Sequence, residues 1–562
     1  MKIGDKINIW KNKPFDKETI NKITELEKNE EELNERFHSD LEFGTGGIRG
    51  LMGIGTSRIN KYTISKFTQG IANYLNNTLK KESKTIIIAY DNRRNSKFFS
   101  DEVAKVFSAN NFNVLIFDDV RPTPLLSFSI RHFNADGGIM ITASHNPPEY
   151  NGYKVYNSFG GQIVPPDDKK ISDSIKKLSF KEIKWDNKKT KVKIIDENFD
   201  NFYFKKIISN SVLEKKNRKN LKIVYSSLHG TGIKSVPKLL KKAGYNDINL
   251  VENQCFIDEN FLNTNSSNPE DNSAFNETIN LADKINGEII ITTDPDADRL
   301  GVGVRDFKKN WILLNGNQLM ILLFSFLIER KEFKNQEFFV STTLVSSPLF
   351  EKIAKKNKIE CKICQTGFKW IADIIEKEKD KKFLCGGEES FGFLYGDEVR
   401  DKDAASASLL FCDMFSFLKL KGETVISYLN GIYKNNGFYY DKLFTITKEG
   451  AKGISEIKKQ IEFLRLNPPK KIAGINISKI DDYKKGLSYL KTGKINKLEL
   501  PKTNLIIYYL EDNSRISVRP SGTEPKIKFY INLYSKFNET FDLNEESKKL
   551  EKKVNEIIKH FN

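Results

Sequence analysis

Apolar residues in this chain come in short dense blocks, separated by longer stretches in which they recur at helical spacing. TIIIAYD (85–91), NVLIFDD (113–119) and GGIMITAS (138–144) read as buried strands. Segments between them, such as SDEVAKVFSANN, place their apolar residues on one helical face. This alternation predicts a parallel sheet covered by helices. The first forty residues are charged and read as amphipathic helix. The alternation restarts twice, at LKIVYSSLHGTG (221–232) with GEIIITTDPDADR (287–299), and at EFFVSTTLVSS (337–347) with KKFLCGGEES (381–390). Further on, NLIIYYL and KIKFYINLY (526–534) alternate or run apolar around turn-forming residues, and a charged helix, NEESKKLEKKVNEIIKHF, follows. That part reads as a smaller α+β domain. The expected divisions are 1–215, 216–316, 317–440 and 441–562.

Composition narrows the class. The longest apolar stretch, Leu319 to Ile328, is far short of the roughly 20 residues that span a bilayer. The segment MKIGDKINIWKNKPFD has no apolar signal region, so the expected location is the cytoplasm, with no membrane partner. A net charge of +17 raises the question of nucleic acid. The lysines, however, are scattered and interleaved with Asp and Glu, and no RNA-binding, zinc-finger or basic-zipper motif is present, so no nucleic-acid partner is expected. The positive field could instead draw a phosphorylated sugar towards a cleft. Five cysteines do not suggest a disulfide framework, and Cys361 and Cys364 lack the second ligand pair that a zinc site needs.

Four loops, each just after a strand, carry the candidate chemistry, and ligands of open α/β sheets bind at the carboxyl ends of strands. In ITASHNPPEYNGYKVY (141–156), Ser144 is flanked by Thr142, His145 and Asn146; a serine hydroxyl needs activation, and no hydrolase elbow is present. In TTDPDADRL (292–300), Asp294, Asp296 and Asp298 alternate, a spacing that lets three carboxylates surround one hard cation. Arg299 stands where an EF-hand needs glycine, so the loop is not one. In CGGEESFGF (385–393), Glu388 and Ser390 could pair with vicinal hydroxyls, or could simply form a turn and a helix cap. In VRPSGTEPKIKFY (518–530), Arg519, Ser521, Gly522 and Thr523 supply the donors of a phosphate cradle, or a hairpin turn. FGTGGIRG (43–50) adds Arg49, and QTGFKW (365–370) adds Lys369.

TASHNP, DPDADR, GEES and RPSGTEP, in that order along nearly the whole chain, resemble the α-D-phosphohexomutase superfamily. FGTGGIRG, NGYKVY, TGFK and EESFGFLYGDEVRDKDA look like its bacterial phosphoglucomutase branch. The resemblance implies a heart-shaped protein of four domains, three α/β with mixed or parallel sheets and a smaller α+β domain. It implies interconversion of glucose 1-phosphate and glucose 6-phosphate, with phosphopentomutase, phosphomannomutase and glucose-1,6-bisphosphate synthase as alternatives of the same mechanism. Ser144 would be the phosphorylated residue, and Asp294, Asp296 and Asp298 would hold Mg²⁺ together with a phosphoserine oxygen. Glu388 and Ser390 would grip the sugar, and Arg519, Ser521, Gly522 and Thr523 the phosphate that is not reacting. Arg49, His145, Lys154, Arg299, Lys369 and Lys402 match positive or acid–base positions, with Lys402 or His145 as general base. Glucose 1,6-bisphosphate is the expected activator, and a monomer or weak dimer the expected state. The phosphomannomutase-type loop reads GEMSGH; here Phe391 follows Ser390, which favours glucose. Lys528 stands where some relatives carry a second phosphate-binding arginine, keeping the charge without the fork.

Overall fold

The computed structural model describes residues 2–44, 46–186, 188–330, 337–448, 450–521, 526–537 and 542–561. The chain divides into two compact units. The first comprises 1–315, 368–385 and 390–420, and the second 316–367, 386–389 and 421–562.

The first unit is built on two sheets. The larger contains β1 (Gly47–Leu51), β2 (Lys84–Tyr90), β3 (Phe112–Phe117), β4 (Gly137–Ile141), β5 (Tyr150–Asn157) and β6 (Val192–Ile195), in the order β1-β5-β4-β2-β3-β6. The strands read from the sequence are all present, but the sheet is not wholly parallel. β2, β3, β4 and β6 are parallel, whereas β5 runs antiparallel to β4 and β1 antiparallel to β5. The reason lies in the connection. A parallel return needs a crossover of about a dozen residues or more, and the loop from β4 to β5 is too short for one, so the chain folds back as a hairpin. The second sheet repeats the device. β7 (Ile223–Ser226), β8 (Ile248–Leu250) and β9 (Ile289–Thr293) are parallel, while β10 (Leu300–Arg305) and β11 (Trp311–Leu314) are antiparallel, in the order β11-β10-β9-β7-β8.

The first forty residues are helical as expected, in three short helices, Ile3–Trp10, Lys17–Leu26 and Glu30–Phe37. Asp16 and Asn29 cap the second and third by accepting the backbone N–H of Thr19 and Glu32. Trp10, Phe15 and Phe37 gather with Tyr62 in one aromatic cluster, Trp10 stacking on Phe15 at 4.4 Å. Tyr62 lies in the first turn of the long helix Lys61–Thr78, which covers the larger sheet through Ile64, Phe67 and Ile71.

In the second unit, β12 (Phe338–Thr343) pairs in parallel with β13 (Glu360–Cys364). The apolar run Leu319 to Ile328 lies in the helix Gly316–Arg330, apolar all round and buried along most of its length. β14 (Lys382–Glu388) belongs to the first unit through Cys385 and to the second from Gly386, and β15 (Gly392–Tyr395) lies in the first. The C-terminal part is the expected α+β domain. It holds β16 (Phe438–Thr447), β17 (Lys471–Ile472), β18 (Ile475–Asp482), β19 (Leu487–Leu490), β20 (Ile495–Lys497), β21 (Ile506–Leu510), β22 (Arg515–Pro520) and β23 (Lys526–Ser535) in one antiparallel sheet, with the helices Gly450–Leu466 and Leu543–Phe561. The chain thus has three α/β parts with mixed sheets and a sheet-rich C-terminal part. Among the described residues, no helix is long and apolar enough to cross a membrane.

One glycine shows how tightly the first unit is packed. Gly70 sits mid-helix, where alanine would ordinarily stabilise by about 1 kcal/mol. A methyl group there would lie 2.4 Å from Ile175 Cγ1 and about as close as 3.0 Å to the Ile175 backbone, which cannot swing away. Overpacking costs roughly 1–3 kcal/mol and outweighs the helical gain. Gly70→Ala is therefore expected to lower the thermal unfolding midpoint, measured by calorimetry; an unchanged or raised midpoint would show that the two helices separate freely.

Candidate active site

Ser144 lies in the hairpin loop after β4. It is 1% exposed and its φ is 53°, the left-handed region that few non-glycine residues occupy. Its backbone N–H donates to Thr142 Oγ1 at 2.8 Å. Its hydroxyl donates to Asp294 Oδ2 at 3.0 Å and lies 3.3 Å from His145 Nδ1. Arg49, on β1, donates to Asn146 Oδ1 at 3.3 Å, so it borders the same loop.

Asp294, Asp296 and Asp298 occupy the hairpin loop between β9 and β10, all at most 2% exposed, with one oxygen of each within 4.8 Å of the others. Asp294 Oδ1 accepts the backbone N–H groups of Asp298 and Arg299 at 3.1 and 3.0 Å, which curls the loop on itself. Asp296 Oδ2 accepts Lys154 Nζ at 2.7 Å and Thr123 Oγ1 at 2.8 Å. Asp298 Oδ2 meets Lys402 Nζ at 3.0 Å and Lys154 Nζ at 3.4 Å. Arg299 forms an ion pair with Glu270 and stands 3.9 Å from both Asp294 and Asp298.

The charges sort the three carboxylates. Burial, reinforced by Asp298 and Asp296, pushes Asp294 well above the usual carboxylate range. Burial and Asp298 also press Asp296 upward, but the ammonium of Lys154 and the Thr123 hydroxyl outweigh them and hold it below its ordinary value. Asp298 is likewise pressed upward by burial and drawn below its ordinary value by Lys402, Lys154 and Arg299. Burial works to lower Lys154, yet Asp296, Asp298 and Asp401 raise it overall. Asp296 Oδ1 and Asp298 Oδ1 are buried without a hydrogen-bond partner. An all-oxygen set with two unpartnered buried acceptors fits a hard divalent cation.

Lys402 follows β15. Its ammonium also lies 3.3 Å from Asp401 Oδ1, and Asp401 Oδ2 accepts the Tyr156 hydroxyl at 2.8 Å. The lysine reaches Asp298 over Gly392, where a Cβ would sit 2.1 Å from Lys402 Cδ and 2.7 Å from Cγ. Lys369 is buried in the first turn of the helix Phe368–Lys377, its ammonium 5.2 Å from the centre of the Trp370 ring. Ser390 is half-buried in the turn after β14.

In the second unit, Glu388 ends β14, is 4% exposed and accepts the Gly367 N–H at 2.8 Å. Arg519 and Lys528 stand directly opposite each other on β22 and β23, which puts both cations on one face of the sheet. The Ser521 N–H donates to Lys526 O at 2.7 Å at the mouth of that hairpin. Gly522 and Thr523 lie outside the described residues.

Of the residues read from the sequence, the structure places Ser144, His145, Arg49, Lys154, the three aspartates, Arg299 and Lys402 close together in the first unit. The sequence reading missed Arg93, whose guanidinium donates to four carbonyls of the Ser144 loop, and Thr123, whose side chain and backbone N–H both bond Asp296. The available signal was position: Arg93 in DNRR and Thr123 in RPTP follow the carboxyl ends of β2 and β3, beside the ends of the chemistry-bearing strands.

Comparison with known proteins identifies the family. Models of the phosphoglucomutase/phosphomannomutase family match its α/β/α domain I at residues 40–182, domain II at 201–308 and domain III at 315–435. A phosphoglucomutase of Staphylococcus aureus is 39% identical over 508 residues, covering 89% of this chain and 91% of that protein. Among solved structures, a phosphoglucomutase/phosphomannomutase family protein of Burkholderia thailandensis superposes with a TM-score of 0.66 at 16% identity, over 92% of this chain and 97% of the other. The phosphoglucomutase parafusin of Paramecium, in its open form, gives 0.64 at 17% identity, over 92% and 96%. The chain belongs to the phosphoglucomutase/phosphomannomutase family of the α-D-phosphohexomutase superfamily, and it is an enzyme of the mutase class.

Gly392→Ala is expected to displace Lys402 from Asp298 and to lower turnover by roughly ten- to a hundredfold, as small misplacements near the chemistry do. Steady-state kinetics of Gly392→Ala, Lys402→Ala and the double variant would check it, because two changes acting through one contact do not add. Full additivity would show that Gly392 does not serve Lys402.

Proposed function

We propose that the chain is a phosphoglucomutase that interconverts glucose 1-phosphate and glucose 6-phosphate through a phosphoserine at Ser144. The observation that carries this reading is the buried Ser144 hydroxyl at 3.0 Å from Asp294, within a cluster of three carboxylates and three cations. Its 39% identity to a phosphoglucomutase of Staphylococcus aureus supports glucose as the sugar.

In the proposed reaction, glucose 1-phosphate binds with its free 6-hydroxyl facing phosphorylated Ser144. The bond from Ser144 Oγ to phosphorus breaks as the sugar O6–phosphorus bond forms, and the hydroxyl proton passes to a base. Lys402 is the proposed base, with His145 as the alternative because its ring already lies beside Oγ. Asp294, Asp296 and Asp298 would hold Mg²⁺, which when bound neutralises charge on the phosphoryl oxygens. Arg49, Lys154, Arg299 and Lys369 add positive charge for the anionic substrate. Glu388 and Ser390 are proposed to hold sugar hydroxyls, and Arg519, Ser521, Gly522 and Thr523 the phosphate that is not reacting. Glucose 1,6-bisphosphate then turns end for end, so the cradle must accept either phosphate. Arg519 with Lys528 opposite supplies charge without demanding one orientation. Ser144 Oγ then bonds to the phosphorus of the 1-phosphate as the O1–phosphorus bond breaks, the base returns its proton to O1, and glucose 6-phosphate leaves. Burial of Ser144 keeps water from the phosphoserine.

The test is a coupled assay with Mg²⁺ and a trace of glucose 1,6-bisphosphate as activator, following glucose 6-phosphate, with the intact mass of the protein read alongside. Wild-type protein should turn over and carry one phosphoryl group. Ser144→Ala should lose the added mass and nearly all turnover while keeping its unfolding temperature; activity within tenfold of wild type would remove Ser144 from the role. Faster turnover of ribose 1-phosphate or mannose 1-phosphate would move the substrate and leave the mechanism.

Asp296→Asn keeps a group that Lys154 and Thr123 can bond but removes a charge from the proposed metal set. Direct Mg²⁺ titration by calorimetry should show affinity reduced about tenfold or more, as for loss of a charged oxygen ligand. An unchanged titration would exclude Asp296 as a ligand.

A further inference from the structure

The Ser144 loop is short, carries a left-handed serine, and has its carbonyl groups turned inward. We infer that Arg93 is the positioning residue of this loop, fixing where the Ser144 hydroxyl stands for phosphoryl transfer; the inference rests on the phosphoserine reading above.

The placement follows from the sheet. β2 and β4 are parallel neighbours, with Tyr90 opposite Ile141, and the Asp91 N–H continues the ladder to Ile141 O at 3.0 Å. Residues just past β2 therefore emerge beside the loop that follows β4. Arg93 is 3% exposed there. Its Nη2 donates to the carbonyls of Ser144 and Asn146, and its Nη1 to those of Pro147 and Tyr150 at 2.7 and 3.1 Å. These four acceptors run from the nucleophile to the first residue of β5, so one planar group spans the whole loop.

The guanidinium is itself held. Asp91 Oδ2 lies 3.2 Å from its Nε, and Asp91 Oδ1 is fixed by the Ser96 hydroxyl at 2.7 Å and the Arg93 N–H at 3.0 Å. The ring of Phe261 stacks 5.1 Å from the guanidinium carbon. Asn92 Nδ2 donates to Asp258 O at 2.8 Å, and the Ser267 hydroxyl to His145 O at 3.2 Å, so the segment bearing Phe261 grips both the arginine and the loop.

Only arginine suits this work. Lysine offers three donors from a single atom, whereas the guanidinium offers five in a fixed fork. A serine at φ 53° does not hold itself there, so the carbonyl on its far side must be anchored. Arg93 spends its Nη donors on backbone carbonyls, and its loss should act on the transfer step rather than on sugar binding. Misplacing a nucleophile by about 1 Å costs about a hundredfold in rate.

The experiment uses the full chain with Mg²⁺. For Arg93→Lys, kcat should fall about a hundredfold while KM for glucose 1-phosphate stays within about threefold of wild type. Phosphorylation of Ser144 by glucose 1,6-bisphosphate, followed by intact mass, should slow in parallel. Arg93→Ala should lose as much and regain part of it on addition of guanidinium at a concentration that leaves wild type unaffected. Either variant with near wild-type kcat, or a loss confined to KM, would overturn the inference. Should neither variant fold, Phe261→Ala decides, since it removes the ring that holds the guanidinium in place and so loosens its bonds to the loop: lower kcat at constant KM supports the role, and wild-type kinetics overturns it. A wild-type chain that neither turns over nor takes phosphate on Ser144 would remove the phosphoserine reading itself. A wild-type chain that does both, beside an unaffected Arg93→Lys, removes this inference alone.

Discussion

Three carboxylates buried in one six-residue hairpin loop are the constraint around which the first unit is arranged. Oxygens of Asp294, Asp296 and Asp298 lie within 4.8 Å of one another. At an effective dielectric constant near 20, two ionised carboxylates at that separation repel by at least about 3.5 kcal/mol. No single element could supply enough opposite charge. Lys154 comes from β5 of the larger sheet, Lys402 from the segment after β15, and Arg299 from the loop itself. The contacts of this loop therefore tie the two sheets together. Thr123 makes that tie explicit by bonding both the backbone and the side chain of Asp296.

The backbone bears a matching constraint. Ser144 and Ala297 are both left-handed, at φ 53° and 49°, although neither is glycine. Such residues cost of order 1–3 kcal/mol and persist only where their surroundings over-determine them. In each case the surroundings are polar groups of the same neighbourhood: Thr142 and Arg93 for the serine loop, Asp294 Oδ1 for the aspartate loop. Both loops are hairpins, so their two ends are pinned by adjacent strands and only the tips need further fixing. A loop leading into a crossover helix would leave one end freer to move.

Much of this was legible in the sequence. The strand blocks, the C-terminal α+β part and the loops bearing Ser144 and the aspartates stand where the apolar pattern put them. The blocks read as a parallel sheet, β2, β3 and β4, are parallel, but the antiparallel strands added at the edges were not legible, because apolar blocks report burial and not direction. Direction was set by the short connections β4 to β5 and β9 to β10. Arg93 escaped notice for a different reason. It bonds carbonyl oxygens, which every residue has, so its partners leave no side-chain signature in the loop it serves. Lys528 was visible only as a departure from relatives, and its meaning came from register, which sets it opposite Arg519.

The hydrogen bonds of the acidic cluster explain how it can be satisfied and still be receptive. Each carboxylate divides its oxygens. Asp294 gives Oδ1 to backbone N–H groups and turns Oδ2 to Ser144. Asp296 gives Oδ2 to Lys154 and Thr123, and Asp298 gives Oδ2 to the two lysines, each leaving Oδ1 without a hydrogen bond. The tied oxygens fix where the carboxylates stand and offset their mutual repulsion; the remaining ones supply an acceptor surface. Full neutralisation by more cations from the chain would have removed that surface, and fewer would have left the repulsion between the carboxylates less offset. Asp294, pushed upward where the others are held down, is the member with no lysine of its own. It is also the one that faces the serine, so the carboxyl whose charge is most disfavoured by burial and by its acidic neighbours is the one beside the hydroxyl.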